Sequence, residues 1–314
     1  MPVTVELDAQ YRQLREECGL LVRERGGIAV VGPDGAEYLQ GQLTNDVEAL
    51  AVGDGQYAAL LDRKGHMQAD MRVLRPATEE ILLDFEPGAR DAALRHLTMY
   101  SIGRDVQVVD ATEERAILSL IGPRAAEIAG TPPLPEFANE MASVAGTPVL
   151  AVGTREGVDL FLQAGERDRV IVALTEAGAV EVSPEAVEII RVESGVPRFG
   201  AEMDSATMPA EAAIVEDAVS FTKGCYIGQE TVARLHYKGK PNRHLRGLRL
   251  SGAAAPGAAL RLGEKEVGTL GSAVVSPALG PIGLAIVRRE AEPGAELTVG
   301  EDGVTAEVVA LPFG

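Results

Sequence analysis

The sequence predicts an α+β chain, with two related halves followed by a small C-terminal β-barrel. Three observations predict it. A strand–turn–helix opening recurs about ninety residues downstream. One strand alternates apolar and polar side chains with period two, and beyond residue 240 short apolar runs replace every helical pattern.

The first half opens with the apolar strand Gly27 to Val31, the turn Gly32-Pro33-Asp34-Gly35, and a helix AEYLQGQL for which Asp34 is the expected N-cap. Gln56 to Leu61 and His66 to Leu74 read as two strands joined by Asp62-Arg63-Lys64-Gly65. In the second of these, Met67, Ala69, Met71 and Val73 take the core face, and His66, Gln68, Asp70 and Arg72 a polar one. A strand Glu80 to Phe85, a helix from about Ala89 to Tyr100 and a strand Asp105 to Val109 complete the half. Ile121-Gly122-Pro123 then echoes Val31-Gly32-Pro33, and GVDLFLQAGERDRVIVALTEAGAVEV repeats the strand–helix–strand order of EEILLDFEPGARDAALRHLTMYSIGRDVQVV. Each half is expected to lay helices on one face of an antiparallel sheet. Residues 1–239 therefore read as one unit of two halves (roughly 20–110 and 111–239). LRGLRL, AALRL, VGTLGSAVV, IGLAIV and AELTV, cut by Gly- and Pro-rich turns, read as a barrel over 240–314.

Aromatics are 4% and Trp is absent, so the cores must be aliphatic. The opening residues lack the basic start and apolar stretch of a signal peptide, and no apolar run is long enough for a membrane helix, so a cytoplasmic chain without membrane contact is expected. A net charge of −18 and few stacking aromatics disfavour direct nucleic-acid binding. Against that sum, Lys223 to Arg249 holds seven basic residues and Glu230 as its one acid, an island suited to an anionic ligand.

Cys225 is the leading chemical candidate. It is expected between a short strand (AVSFT) and a helix starting near Gly228, with Gly224 and Gly228 allowing a sharp turn. Lys223 beside it and the helix N-terminus should favour the thiolate, so Cys225 should react faster than Cys18. Two cysteines and four histidines without paired spacing give no ligand set for a resident cluster or zinc. Asp70, on the polar face of its strand, is a candidate general base or electrostatic group. Glu193, ending the helical stretch PEAVEIIRVES, suits paired hydrogen bonds to a flat heterocycle. Nucleophile-elbow, phosphate-loop and dinucleotide motifs are missing, so hydrolase, kinase and dehydrogenase readings lose support.

KGCYIGQE at 223–230 resembles the signature K-G-C-[YF]-x-G-Q-E of the YgfZ family, described as folate-binding or tRNA-modifying proteins and linked to iron–sulfur cluster assembly. LQGQLTNDV at 39–47 is similar to a motif shared with GcvT, the aminomethyltransferase of the glycine cleavage system. RVESGVPRFG at 191–200 and GTLGSAVVSPALGPIGLAIV at 268–287 are similar to shared segments as well. The resemblance implies two repeated ferredoxin-like halves forming a GcvT-like folate-binding unit, plus the barrel, with tetrahydrofolate as cofactor. It places Asp70 beside the reactive nitrogens of the folate and Glu193 on its pterin ring. Cys225 and Lys223 belong to the YgfZ signature, and Lys223 and Arg234 are expected to attract the folate's glutamate tail, polyglutamylated or not. The function implied is a tetrahydrofolate-binding accessory protein acting on iron–sulfur client or assembly proteins. The alternative is a tetrahydrofolate-dependent aminomethyl- or methyltransferase. Asp84-Phe85-Glu86, where the aminomethyltransferase has Asn-Ala, departs from that alternative.

Overall fold

The computed structural model describes residues 4–313 and divides into two compact units. One, a double-layered sandwich, comprises Arg12–Val182 and Asp217–Gln229; the other, built around a barrel, comprises the stretch up to Tyr11, Ser183–Glu216, and the chain from Glu230 onward.

Two sheets make the sandwich. The first is antiparallel throughout, in the order Gly55–Leu61, Met67–Ala77, Glu80–Phe85, Gly26–Val31, Gln107–Asp110. The helix Arg90–Tyr100 lies against it, and Met67, Ala69, Met71 and Val73 are wholly buried, as the alternation predicts. The second sheet runs Val180–Glu181, Gly19–Arg23, Arg115–Ile121, Gly157–Gln163, Thr147–Thr154, Asn139–Val144. Leu118, Leu120, Leu160 and Leu162 pack there with Ile128, Val170 and Leu174 of the helices Ala125–Ala129 and Arg167–Glu176. The duplication extends to the backbone. Gly32 and Gly122 both have left-handed φ (138° and 127°), each followed by a short helix. Arg90 and Arg167 enter their helices at −50°, −55° and −52°, −55° after a short 3-10 turn.

The faces turned away from the helices meet each other. Ala29, Leu74 and Leu82 of the first sheet pack with Ile117, Leu150, Val152 and Phe161 of the second. The strand face expected to be polar and half-exposed is half-buried from His66 to Arg72 and closes against the second sheet at Leu74. One strand breaks the duplication: Gly19–Arg23 stands at the start of the first half in sequence but is laid in the second sheet, antiparallel to Arg115–Ile121 and parallel to Val180–Glu181.

In the other unit, six strands close a ring in the order Arg243–Leu250, Val304–Val309, Glu296–Val299, Ala259–Leu262, Lys265–Thr269, Gly280–Arg288, and back to Arg243–Leu250. Ser272–Ser276 pairs outside the ring, on Gly280–Arg288. Leu248, Leu260, Leu297 and Val308 fill the barrel. The helix Pro184–Glu193 packs on Ser272–Ser276 and Gly280–Arg288. Its start is set by Ser183, whose hydroxyl accepts from the Ala186 N–H, and by Pro at its first position. Gly195 ends it at φ 69°, where a Cβ would stand 3.0 Å from the Leu311 side chain.

Two local expectations are corrected. Asp34 stands at the helix start, but its carboxylate accepts from the Asp105 N–H at 2.9 Å, so it ties the turn to the neighbouring loop and caps nothing. AVSFT forms no strand: Val215–Ala218 is one helical turn and the chain then runs irregularly to Gly228. Among the described residues no helix is long and apolar enough to cross a membrane.

Candidate functional site

Asp70 sits on the inner face of the first sheet, opposite Ala59 in register. Its Oδ2 accepts from the Tyr57 hydroxyl at 2.6 Å. Oδ1 is buried, with no hydrogen-bond partner among the described residues. Burial pushes the Asp70 carboxyl above the usual carboxylate range, while the Tyr57 hydroxyl and the nearby Arg25 charge pull the other way. Burial, reinforced by the Asp70 charge, holds the Tyr57 hydroxyl well above its ordinary value. A buried carboxylate oxygen without a donor costs about 1–3 kcal/mol.

Next to it lies a cluster the sequence reading did not find. Arg25 donates to Asp84 at 2.8 Å and to Glu86; Arg72 donates to Asp84 and, at 2.6 Å, to Asp159, which also accepts from the Ser119 hydroxyl. Arg23 in turn donates to Ser119 at 2.9 Å. Asp84 is 1% exposed and Asp159 5%. Burial would raise the Asp84 carboxyl, but Arg25 and Arg72 outweigh it and hold it below the carboxylate range. A hollow beside this network, lined by Arg23, Arg25, Asp84 and Phe161, has a volume of about 30 Å³. It has room for a water, not for a pterin. The network joins the sheets, and the signal for it was the charges Arg72, Asp84 and Asp159 set within three largely apolar strands, MQADMRVL, EILLDF and GVDLFL.

Cys225 is exposed, in the loop leading to the helix Gln229–Lys238. Of the two flanking glycines only Gly228 is required: its φ is 87°, and a Cβ there would stand 2.6 Å from the Asp62 carbonyl oxygen. Gly224 faces open space. Lys223 is 8% exposed and turned inward. Its Nζ donates to the carbonyls of Gln40, Leu43 and Asn45 at 2.6, 2.7 and 3.0 Å and stands 5.1 Å from the centre of the Tyr226 ring. Burial lowers its pKa to about 8, against the Asp46 and Glu48 charges. Its three protons are taken by main chain, so the roles expected for it, activating the thiol and drawing an anionic tail, find no donor left over.

Glu193 and Arg234 belong to the barrel unit, Asp70, Lys223 and Cys225 to the sandwich. Glu193 is 8% exposed, accepting from the Ser276 hydroxyl and from the Tyr11 hydroxyl at 3.2 Å. The hydroxyls fix the orientation of the carboxylate. Arg234 is exposed on the helix Gln229–Lys238. Arg243, counted in the cationic island, is paired with Glu211 at 2.7 Å, while Arg234, Lys238 and Lys240 are exposed. Among the described residues no group of three His, Cys, Asp or Glu could hold a metal ion.

Cys18 is fully buried, and burial pushes its thiol up to about 11. Alkylation at pH 7.5 should therefore modify Cys225 at least tenfold faster than Cys18, read by peptide mass spectrometry. Equal rates would show that the loop shields its sulfur.

Comparison with known proteins follows the same architecture. The family profile described as the GCVT N-terminal domain matches residues 3–223, and that of the glycine cleavage T-protein C-terminal barrel domain matches residues 243–313. An aminomethyltransferase of Rubrobacter xylanophilus is 32% identical over 332 residues, covering 100% of this chain and 88% of that one. The tRNA-modifying protein YgfZ of Colwellia psychrerythraea is 31% identical over 244 residues, covering 74% and 72%. The crystal structure of glycine cleavage system aminomethyltransferase T from Bartonella henselae superposes with a TM-score of 0.89 at 24% identity, over 100% of this chain and 90% of that one. With both domain profiles matched over nearly its whole length, the chain belongs to the GcvT family.

Proposed function

We propose that this protein binds tetrahydrofolate and acts as an accessory factor of the YgfZ type, supporting assembly or repair of iron–sulfur proteins through the exposed Cys225 thiol. The observation that carries the folate assignment is the buried, unpartnered Oδ1 of Asp70. A pterin-linked amine or ring N–H would satisfy that oxygen. Bound tetrahydrofolate supplies a carrier nitrogen for one-carbon units. Asp70 holds that nitrogen's proton by hydrogen bond, and Tyr57 orients Asp70. Glu193, locked by Ser276 and Tyr11, is assigned to paired hydrogen bonds with the pterin edge. Arg234 is assigned to the glutamate tail; Lys223, with its protons on carbonyls, supports no ligand contact.

The YgfZ reading rests on an exposed cysteine within KGCYIGQE and on Asp84, which is consumed by Arg25 and Arg72. A second reading, a tetrahydrofolate-dependent aminomethyltransferase or methyltransferase, is favoured by relatives of that name spanning the whole chain. Titration of the purified protein with tetrahydrofolate is expected to give saturable binding that Glu193→Gln weakens about tenfold, or 1.4 kcal/mol; a wild type that does not bind ends the folate assignment. In cells lacking the protein, Cys225→Ala should abolish rescue of iron–sulfur enzymes while leaving folate binding intact. A harmless Cys225→Ala with loss on Asp70→Asn supports the transferase.

A further inference from the structure

The Cys225 loop is built onto the segment 39–47 by more contacts than a surface loop needs. The Thr44 hydroxyl donates to the Ala218 carbonyl at 2.6 Å and accepts from the Ala59 N–H at 2.8 Å. The Ser220 N–H donates to the Thr44 carbonyl at 3.0 Å. The Asn45 side-chain amide donates both to the Tyr57 carbonyl at 2.9 Å and to the Asp217 carbonyl at 3.1 Å. Thr44 and Asn45 thus stand between the Tyr57–Ala59 stretch, which faces Asp70 in the sheet, and residues 217–220, which lead to Cys225. Beyond them, Gly228 closes against the Asp62–Gly65 turn. At the centre is Lys223, with three ammonium protons and three carbonyl acceptors, on a side chain almost wholly out of solvent.

We propose that Lys223 is a positioning residue: its ammonium latches the Cys225 loop onto the 39–47 segment, and so fixes where the thiol stands relative to the strand that carries Tyr57. Two arguments favour this over ligand binding. A buried ammonium is tolerated only when its donors are satisfied, and here the main chain satisfies all three. The carbonyls of Gln40, Leu43 and Asn45 close the helix Gly35–Gln40 and the turn after it, where a cation is favoured by the helix's own partial charge. The latch also explains why a lysine and a cysteine two residues apart share one loop: the lysine points in so that the cysteine can point out. This deepens the thiol reading above and rests on it only in taking Cys225 as the working group.

Hydrogen exchange tests the latch without reference to folate or to client proteins. Lys223→Met keeps the alkyl stem and removes the donors. It is expected to speed amide exchange of segments 39–47 and 217–228 together by tenfold or more, with 147–163 of the second sheet unchanged. Cys225 alkylation should change at least threefold while Cys18 stays unreactive, and tetrahydrofolate affinity should hold within twofold. Exchange left unaltered in both segments overturns the proposal. So does loosening spread through the whole chain with Cys18 exposed, which is general destabilisation. A tenfold loss of tetrahydrofolate affinity without a change in exchange returns Lys223 to a ligand role. If Lys223→Met fails to fold, the wild type still decides: the latch requires the two segments to open with one common protection, and separate rates refute it. A wild type that shows this common opening yet binds no tetrahydrofolate keeps the latch and ends only the folate assignment.

Discussion

Asp84→Ala is expected to lower the stability of the protein by about 3–5 kcal/mol, the cost of leaving buried charges without their partner. The substitution removes the carboxylate that Arg25 and Arg72 share and leaves Arg25 with Glu86 alone and Arg72 with Asp159 alone, on side chains 17% and 14% exposed. In thermal terms a unit of this size loses roughly 2–4 °C per kcal/mol, so a fall of about 10 °C is expected by calorimetry. The double variant Arg72→Met/Asp84→Leu should lose less than Asp84→Ala alone, because it removes a charge of each sign and leaves Arg25 to Glu86 and Asp159 to the Ser119 hydroxyl. A loss under about 1 kcal/mol for Asp84→Ala would mean that water reaches the guanidiniums and the network is surface chemistry.

Asp70→Asn is expected to move affinity and stability in opposite directions. Hydrogen bonds to a charged group contribute about 1.5–3 kcal/mol, so tetrahydrofolate affinity should fall about 100-fold at most and tenfold at least. Stability should rise, because the folded carboxyl has a raised pKa. Between its ordinary value and that raised one, the folded state binds more protons than the unfolded chain, so stability falls as pH climbs through the window and the loss persists at pH 7. Asn keeps an acceptor for Tyr57 and removes the buried charge, so Asp70→Asn should melt higher than wild type at pH 7, with the gain vanishing towards pH 3.8, the ordinary carboxyl value. Calorimetry at both pH values checks the sign. A lower melting temperature at pH 7 would show that the carboxylate is satisfied after all, and would remove the observation on which the folate assignment stands.

Much of the architecture could be read before the structure was seen, because its signals are periodic. Met67, Ala69, Met71 and Val73 declared their face by alternation, and Gly32 and Gly122 declared the repeat by requiring the same left-handed turn. The barrel followed from short apolar runs. What was not legible depends on which surfaces meet. Asp70 and Arg72 looked like residues on a wetted face, since one sheet's sequence does not say that a second sheet will cover it. The partners of Glu193 were not legible because Tyr11 and Ser276 are far away in the chain. Lys223 was placed beside Cys225 by adjacency in sequence, yet successive side chains in an irregular loop need not point together, and these two diverge. Arg25 carried no motif at all, and only its position opposite Asp84 reveals its role.

The Gly19–Arg23 strand has a consequence for how this chain comes into being. It leaves the ribosome well before its neighbours on both sides, Arg115–Ile121 and Val180–Glu181, are synthesised. The nascent chain must therefore carry an apolar β-segment with unsatisfied edges while the intervening polypeptide emerges, a delay that favours capture by chaperones or by another copy. The halves, though built alike, are sewn together by that early thread and cannot mature one after the other.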